Sequence, residues 1–274
     1  MTSSRHLDKR RMPGIVLQLT DLHLTADRHA ALKGVRTRES LIDVLRFAKA
    51  QSQTGEGDFD YLVLTGDLAH DEQLATYEIL RDLLGDWVSR CRLIPGNHDD
   101  RTLIRQVFPE LVSSCGDVIN FSVETAGWRL IGLDSHVDGE VYGRIDESQL
   151  QWLAAELTTH NAQPAILFLH HPPVPVHSAW LDRIGLQNAD AFINVVRSFS
   201  QVSVICTGHV HQEFSVDLHG VQILTTPSTG VQFRPRREEL VCDPIPPGFR
   251  RFRLADGGFE SHVVRLPSLN HSPS

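Results

Sequence analysis

Short apolar runs alternate with amphipathic stretches along most of this chain. Continuous apolar runs of a few residues predict buried strands, whereas apolar positions three or four residues apart predict helices with one buried face. In the first part of the chain, strands are predicted at 14–19, 61–64 and 91–94, and helices at 37–51, from Asp71 and after Asp99. This repeated strand–loop–helix order is typical of an α/β fold.

The second half of the chain adds hairpins to this pattern. Predicted hairpins join 118–124 to 128–134, 214–218 to 221–226 and 249–254 to 258–264, each across a turn that contains Gly. Between the first two hairpins, helices are predicted at 147–159 and 189–199 and buried strands at 165–169 and 202–206. We predict one domain over residues 14–266, with a flexible arm over residues 1–13 and a disordered tail over residues 267–274.

Five of the predicted strands end in a polar cluster that is rich in His, Asp or Asn. A single cluster of this kind is more often a helix cap, a turn or a solvated loop. Because the carboxyl ends of strands in one sheet meet in one crevice, five such clusters favour a shared site. The clusters are Asp21-Leu22-His23, Gly66-Asp67, Gly96-Asn97-His98-Asp99, His170-His171 and Gly208-His209-Val210-His211.

These residue types suit two metal ions. Asp21 and His23 stand two residues apart on an emerging strand, so both can bind one ion. The two histidines of Gly208-His209-Val210-His211 have the same spacing, although a loop can direct them to different ions. A carboxylate on a glycine turn, such as Asp67, can bridge two ions, and Asn97 adds a neutral oxygen. Nitrogen and oxygen ligands without thiolate favour Fe, Mn, Zn or Co.

His98 is left over as a residue that binds no metal. Beside two metal ions, its imidazole can hydrogen-bond a phosphate oxygen or protonate a leaving alkoxide. Asp99 can hold the other ring nitrogen of His98 and raise the pKa of the imidazole. We therefore predict catalytic roles for both residues.

Composition narrows the choice of partner and compartment. Acidic residues exceed basic ones by 34 to 26, for a net charge of −8, which argues against binding a nucleic-acid polymer. Cys91, Cys115, Cys206 and Cys242 show no Cys-x-x-Cys pairing, which favours reduced thiols. The basic N-terminus has no apolar signal core, and no apolar run approaches the ~20 residues that cross a bilayer. We expect a cytoplasmic protein that does not bind membranes.

In this order, the five clusters resemble the signature of the calcineurin-like metallophosphoesterases. Longer stretches resemble the bacterial class III 3′,5′-cyclic-AMP phosphodiesterases of the CpdA type, over about residues 15–265. These stretches are 17–24, 66–71, His170-His171-Pro172-Pro173 with Trp180-Leu181-Asp182, and 226–233. The resemblance implies a four-layer αββα sandwich, in which two mixed β-sheets are flanked by helices.

The resemblance also implies a ligand set. One metal, typically iron, would be held by Asp21, His23, Asp67 and His211. The second, iron or manganese with zinc or cobalt as alternatives, would be held by Asp67, Asn97, His170 and His209. The substrate phosphate would contact His23, Asp67, Asn97 and His98. His170 is preferred over His171 as the ligand because it directly follows the strand.

The activity implied is hydrolysis of 3′,5′-cyclic AMP to 5′-AMP, by a hydroxide that bridges the metals and attacks phosphorus while His98 helps the 3′-oxygen to leave. Another diester (a 2′,3′-cyclic nucleotide, cyclic GMP or a glycerophosphodiester) is an alternative substrate. A non-catalytic scaffold is disfavoured because every expected ligand is present. Ser228, Thr229 and Gln232 are predicted to contact phosphate or base, and His136 is predicted to be a surface or loop residue. The role of His70 stays open, as does the choice of monomer or homodimer.

Overall fold

The computed structural model describes residues 12–53, 58–112, 116–256 and 258–269. The predicted arm and tail fall mostly outside these ranges. Within them, the apolar pattern locates all eleven strands that the structure contains.

One mixed sheet is built from both ends of the chain. Its strand order is β11-β10-β1-β2-β3, with β1, β2 and β3 parallel and β10 and β11 antiparallel to their neighbours. The strands are β1 (Gly14–Leu19), β2 (Tyr61–Thr65), β3 (Cys91–Ile94), β10 (Gly248–Ala255) and β11 (Gly258–Arg265).

The second sheet is also mixed and has the order β4-β5-β6-β7-β9-β8. Its four central strands run parallel, and an antiparallel strand closes each edge. The strands are β4 (Phe121–Thr125), β5 (Trp128–Gly132), β6 (Ala165–Leu169), β7 (Val202–Thr207), β8 (Phe214–Leu218) and β9 (Val221–Thr225).

In the part of the chain that the structure describes, six α-helices join these strands. They are α1 (Thr37–Gln53), α2 (Leu74–Leu84), α3 (Arg101–Val107), α4 (Glu147–Thr159), α5 (Ala179–Asp182) and α6 (Ala189–Arg197). The predicted helix from Asp71 begins later, at Leu74, and the Asp71 carboxylate accepts hydrogen bonds from the Gln73 N–H and from the Thr76 hydroxyl in the first turn. The short α5 was not predicted. Among the described residues, no helix is long and apolar enough to cross a membrane.

Alternating side chains on the strands build the layers. In β1, Val16 points to a core between the two sheets, whereas Leu17 packs with the helices α1 and α2. In β6, Phe168 points to the same inner core, where its ring meets Phe252 edge-on at 6.1 Å, and Leu167 packs against α4 and α6. The four-layer αββα sandwich is thereby confirmed, and both sheets direct strand ends toward one edge.

Candidate metal centre

The polar strand ends of both sheets converge on one buried cluster. Ligand atoms of Asp21, His23 and His211 lie within 4.8 Å of one another, as do those of Asp21, Asp67 and His170. Asn97 and His209 complete the cluster from the loops after β3 and β7. The convergence expected from strand topology is therefore present in the structure.

The first half of the cluster contains two histidines and two carboxylates. His23 Nε2 lies 3.1 Å from His211 Nε2 and 3.4 Å from Asp67 Oδ2. His211 Nε2 lies 3.4 Å from Asp21 Oδ1. Nitrogen lone pairs and carboxylate oxygens thus face a common centre, as a metal ion of nitrogen and oxygen preference requires.

The second half is built around the Asn97 amide oxygen. Asn97 Oδ1 lies 3.0 Å from His209 Nδ1 and 3.3 Å from His170 Nε2. His170 Nε2 also lies 3.4 Å from Asp67 Oδ1. The two oxygens of Asp67 consequently face different halves of the cluster, which is the arrangement expected of a bridging ligand.

The backbone at these positions is unusual. Asp21, His23, Asp67, His209 and His211 all have positive φ, between 45° and 69°. A left-handed residue other than glycine costs about 1–3 kcal/mol and persists where the surroundings enforce it, often at functional sites. Asp21 and His23 therefore meet by way of a left-handed bend beyond the strand, and not by strand alternation as we predicted.

Gly96 permits the closest approach of the loops. A Cβ atom at this position would collide with Asp67 and with the His170 ring, at 2.9 Å from His170 Cε1. Glycine is consequently required for the loop after β3 to pass this close to the Asp67 carboxylate.

Backbone carbonyls orient two of the histidines. His170 Nδ1 lies 2.7 Å from the Thr65 carbonyl oxygen, and His211 Nδ1 lies 2.8 Å from that of Val231. Each ring donates Nδ1–H to its carbonyl, which turns Nε2 toward the cluster, where it can bind a metal ion once it is deprotonated. These two carbonyls could not be found from residue types.

Charge coupling inside the cluster is strong. Burial lowers the pKa of His170, but Asp67 outweighs this and raises the pKa to about 9. Burial raises the pKa of Asp67, yet His170 holds it well below its usual range. Burial lowers the pKa values of His23 and His209 to about 3, so both rings are neutral and able to bind metal.

His98 lies at the mouth of the cluster, outside both halves, and a nitrogen of its ring lies within 4.8 Å of ring nitrogens of His23 and His70. Its backbone N–H donates to Asp67 Oδ1 at 3.0 Å, and its ring centroid lies 5.0 Å from that of His23. The half-buried ring lines an adjoining cleft. This position suits contact with a substrate.

Asp99 is placed differently from our prediction. Its buried carboxylate accepts hydrogen bonds from the backbone N–H groups of Leu68, Ala69 and Gly96 and from the hydroxyl of Tyr77. Burial and the charge of Asp67 raise the pKa of Asp99 to about 7. These donors surround both oxygens, so Asp99 ties the loop after Gly66 to the loop that contains Gly96. Our prediction that Asp99 contacts the His98 ring was therefore wrong.

One other expectation needs correction. Ser228, Thr229 and Gln232 are all buried, and Ser228 and Gln232 donate to the backbone carbonyls of Asp21 and of Ser228 respectively, so these side chains do not reach a cleft. His136 lies in a loop, as we predicted, although its side chain is only 7% exposed and lines the cleft. Both ring nitrogens of His171 are engaged, by Ser135 Oγ at 2.8 Å and the Val141 carbonyl at 3.1 Å, which favours His170 as the ligand.

The cleft beside His98 has a volume of about 630 Å³. Its walls are the N-terminal turn of α3 and the 136–141 loop. Arg101 joins these walls through Asp134 at 2.7 Å and Asp138 at 2.7 Å. The remaining lining is largely acidic and includes Glu72, Asp100, Asp117 and Glu140.

Two metal ions fit this donor set. It contains four neutral or deprotonable imidazoles, two buried carboxylates and one amide oxygen, which are arranged in two halves around Asp67. Mixed nitrogen and oxygen donors without a thiolate are the set that Fe, Mn, Zn and Co ions bind.

Comparisons with known proteins agree with this geometry. The chain is 36% identical to the 3′,5′-cyclic adenosine monophosphate phosphodiesterase CpdA of Escherichia coli over 259 residues, which is 94% of this chain and 92% of that protein. It is 34% identical to a 3′,5′-cyclic-nucleotide phosphodiesterase of Nostoc sp., over 94% of both chains. The fold matches a dimetal phosphatase from Danio rerio with a TM-score of 0.67 at 17% identity, over 93% of this chain and 99% of that one. The profile of the calcineurin-like phosphoesterases matches residues 15–213, and this chain belongs to that family.

Proposed function

We propose that this protein is a dimetal hydrolase that converts 3′,5′-cyclic AMP to 5′-AMP. The observation that carries the proposal is the cluster centred on Asp67, whose two oxygens face separate ligand sets next to an open cleft. The relatives from Escherichia coli and Vibrio vulnificus, each of which matches 94% of this chain, are named for this substrate.

The charges around the cleft support a substrate with one phosphate. Arg101 is already paired with Asp134 and Asp138, and Arg105 donates to the Gly116 carbonyl oxygen at 3.0 Å. The acidic side chains that remain disfavour a second phosphate and favour hydroxyl or amine donors. A ribose and a base supply such donors, whereas a nucleoside polyphosphate or a nucleic-acid strand brings further negative charge.

In this proposal, two side chains of the protein hold the phosphate of the substrate. Asn97 and His98 stand between the cluster and the cleft, where they can hold the phosphate oxygens of a bound diester. His98 is placed to donate a proton to the 3′-oxygen as it leaves, which yields 5′-AMP. When bound, the two metal ions supply a hydroxide nucleophile near pH 7 and neutralise phosphate charge.

We further propose iron with iron or manganese as the resident metals, because nitrogen and oxygen ligands without thiolate suit them. The cytoplasm is the proposed compartment, where the thiols Cys91, Cys206 and Cys242, which are free, would remain reduced. Both a monomer and a homodimer are compatible with a site built from one chain.

A substrate panel tests the proposal. Purified protein is loaded with Mn²⁺ or Fe²⁺ and offered 3′,5′-cyclic AMP, 3′,5′-cyclic GMP, 2′,3′-cyclic AMP and a glycerophosphodiester, and the products are separated by chromatography. We expect 5′-AMP from 3′,5′-cyclic AMP with the highest kcat/KM of the panel. Turnover of the other diesters alone would reject the cyclic-AMP assignment and keep the hydrolase. No turnover of any compound by the metal-loaded protein would reject both.

A further inference from the structure

His23 differs from two of its partner histidines in how its outer ring nitrogen is held. His170 and His211 direct Nδ1 at backbone carbonyl oxygens, 2.7 and 2.8 Å away. His23 Nδ1 instead lies 3.3 Å from Nδ1 of His70, a side chain that neither half of the cluster includes. The outer nitrogen of the His23 ring therefore contacts a side chain, which mutation can remove, and not a backbone carbonyl.

The backbone brings His70 to this place. Beyond the ends of β1 and β2, the two segments that follow these strands stay paired. His23 N–H donates to the Asp67 carbonyl at 2.8 Å, and Leu24 N–H donates to that of Leu68 at 3.1 Å. His70 N–H returns to the Leu24 carbonyl at 2.7 Å. This extended register fixes His70 beside His23, and the ring centroids lie 5.3 Å apart.

Proton placement then follows from the geometry. His23 Nε2 faces Asp67 Oδ2 and His211 Nε2 and must keep its lone pair free to bind a metal ion. A neutral His23 consequently carries its proton on Nδ1, where the atom within reach is His70 Nδ1. His70 must accept there, which leaves its own proton on Nε2.

We propose that His70 is a positioning residue for the metal centre: its Nδ1 accepts the hydrogen bond of His23 Nδ1–H and so fixes the tautomer and orientation of the His23 ring. The proposal rests on the metal centre described above and adds a residue outside its ligand set. Partners that orient a metal-binding histidine typically contribute about 10–100-fold to metal affinity or activity.

A matched pair of variants isolates the acceptor. In His70→Asn, the amide oxygen can occupy the place of Nδ1 and accept the same hydrogen bond. Leucine has nearly the same shape as asparagine, so His70→Leu differs from His70→Asn mainly in lacking the acceptor. Protein stripped with EDTA is titrated with Mn²⁺ by calorimetry, and circular dichroism checks the fold of each variant. We expect His70→Leu to weaken one of two Mn²⁺ sites by roughly 10–100-fold, and His70→Asn to bind much as the wild type does.

Each outcome of this titration decides a different point. If the wild type binds two Mn²⁺ ions and His70→Leu binds them with unaltered affinity, the proposal is overturned. Equal losses of Mn²⁺ affinity in both variants would also overturn it. A wild-type protein that binds no Mn²⁺ would overturn the metal centre itself, which separates failure of the site from failure of the positioning role.

A second readout uses the wild-type protein and does not depend on how the variants fold. In the Zn²⁺-loaded, ¹⁵N-labelled protein, long-range ¹H–¹⁵N spectra of the imidazoles report which ring nitrogen carries the proton. We expect His23 protonated on Nδ1 and His70 on Nε2, with the His70 signals identified by their loss in His70→Asn. A proton on His70 Nδ1 would reject the proposal.

Discussion

The amide oxygen of Asn97 lies 3.0 Å from Nδ1 of His209, although the two residues follow strands of different sheets. Asn97 comes after β3 of the five-stranded sheet, and His209 comes after β7 of the six-stranded sheet. The site is therefore assembled only when the two halves of the sandwich pack together. Replacing a residue of the site should therefore change metal content, activity or stability in a way that can be measured.

Removing the Asn97 oxygen is expected to empty one half of the site. In Asn97→Ala, His170 and His209 lose the neutral oxygen between them, while the half around His23 keeps its atoms. We expect metal content, measured by plasma emission spectrometry, to fall from two ions to about one, with kcat/KM for cyclic AMP at least about 100-fold lower. Two tightly held ions in this variant would contradict the assignment of Asn97 as a ligand.

Replacing His98 is expected to separate catalysis from metal binding. His98 lines the cleft and stands outside the two groups of ligand atoms that contain Asp21, so His98→Ala should still bind two ions. Loss of a general acid typically lowers kcat by about 10²–10⁴-fold. Steady-state kinetics and metal analysis on the same preparation check this prediction, and a loss of metal would refute the assignment of His98 as a residue that binds none.

Asp99 is expected to act through stability. Asp99→Asn places an amide group among N–H donors and leaves at least one of them without an acceptor, which we expect to lower the free energy of unfolding by roughly 2–3 kcal/mol. Tyr77→Phe removes a single donor to the same carboxylate and should cost about 1 kcal/mol. Urea unfolding measures both. An Asp99→Asn variant of normal stability with a low kcat would instead restore the role that we first predicted, that of orienting His98.

The pair of Asp67 and His170 predicts how stability varies with pH in the metal-free protein. Because the folded-state pKa of His170 is raised to about 9, above its ordinary value of 6.5, its stabilising effect is complete below pH 6.5 and is lost as the pH rises through about 9. In EDTA, the difference in Tm between wild type and His170→Gln should be largest below pH 6.5 and should shrink toward pH 9.5, measured by scanning calorimetry. A difference that does not change with pH would contradict the ion pair.

The sequence was informative where a pattern is local. Runs such as Val-Leu-Gln-Leu in β1 predict their strands directly, and the polar residues at the strand ends predict a shared edge. The ligand set came from the order of the motifs and from the resemblance that they carry.

The remainder depends on contacts between residues that are distant in sequence. Asp99 follows His98 directly, yet its oxygens are taken by backbone groups some 30 residues away, at Leu68 and Ala69. The left-handed backbone at Asp21 and His209 is likewise enforced by packing, since neither residue type requires it. His70 carried a visible signal, its place three residues after Asp67, but its partner His23 is identified only by the register of the paired chains.

We propose that residues of both sheets hold two metal ions around Asp67. Crystals of the Mn²⁺-loaded protein, with anomalous diffraction recorded near the manganese absorption edge, test this claim most directly. We predict two peaks about 3.5–4 Å apart, one among Asp21, His23 and His211 and the other among Asn97, His170 and His209, with Asp67 between them. A single peak, or peaks away from Asp67, would contradict it.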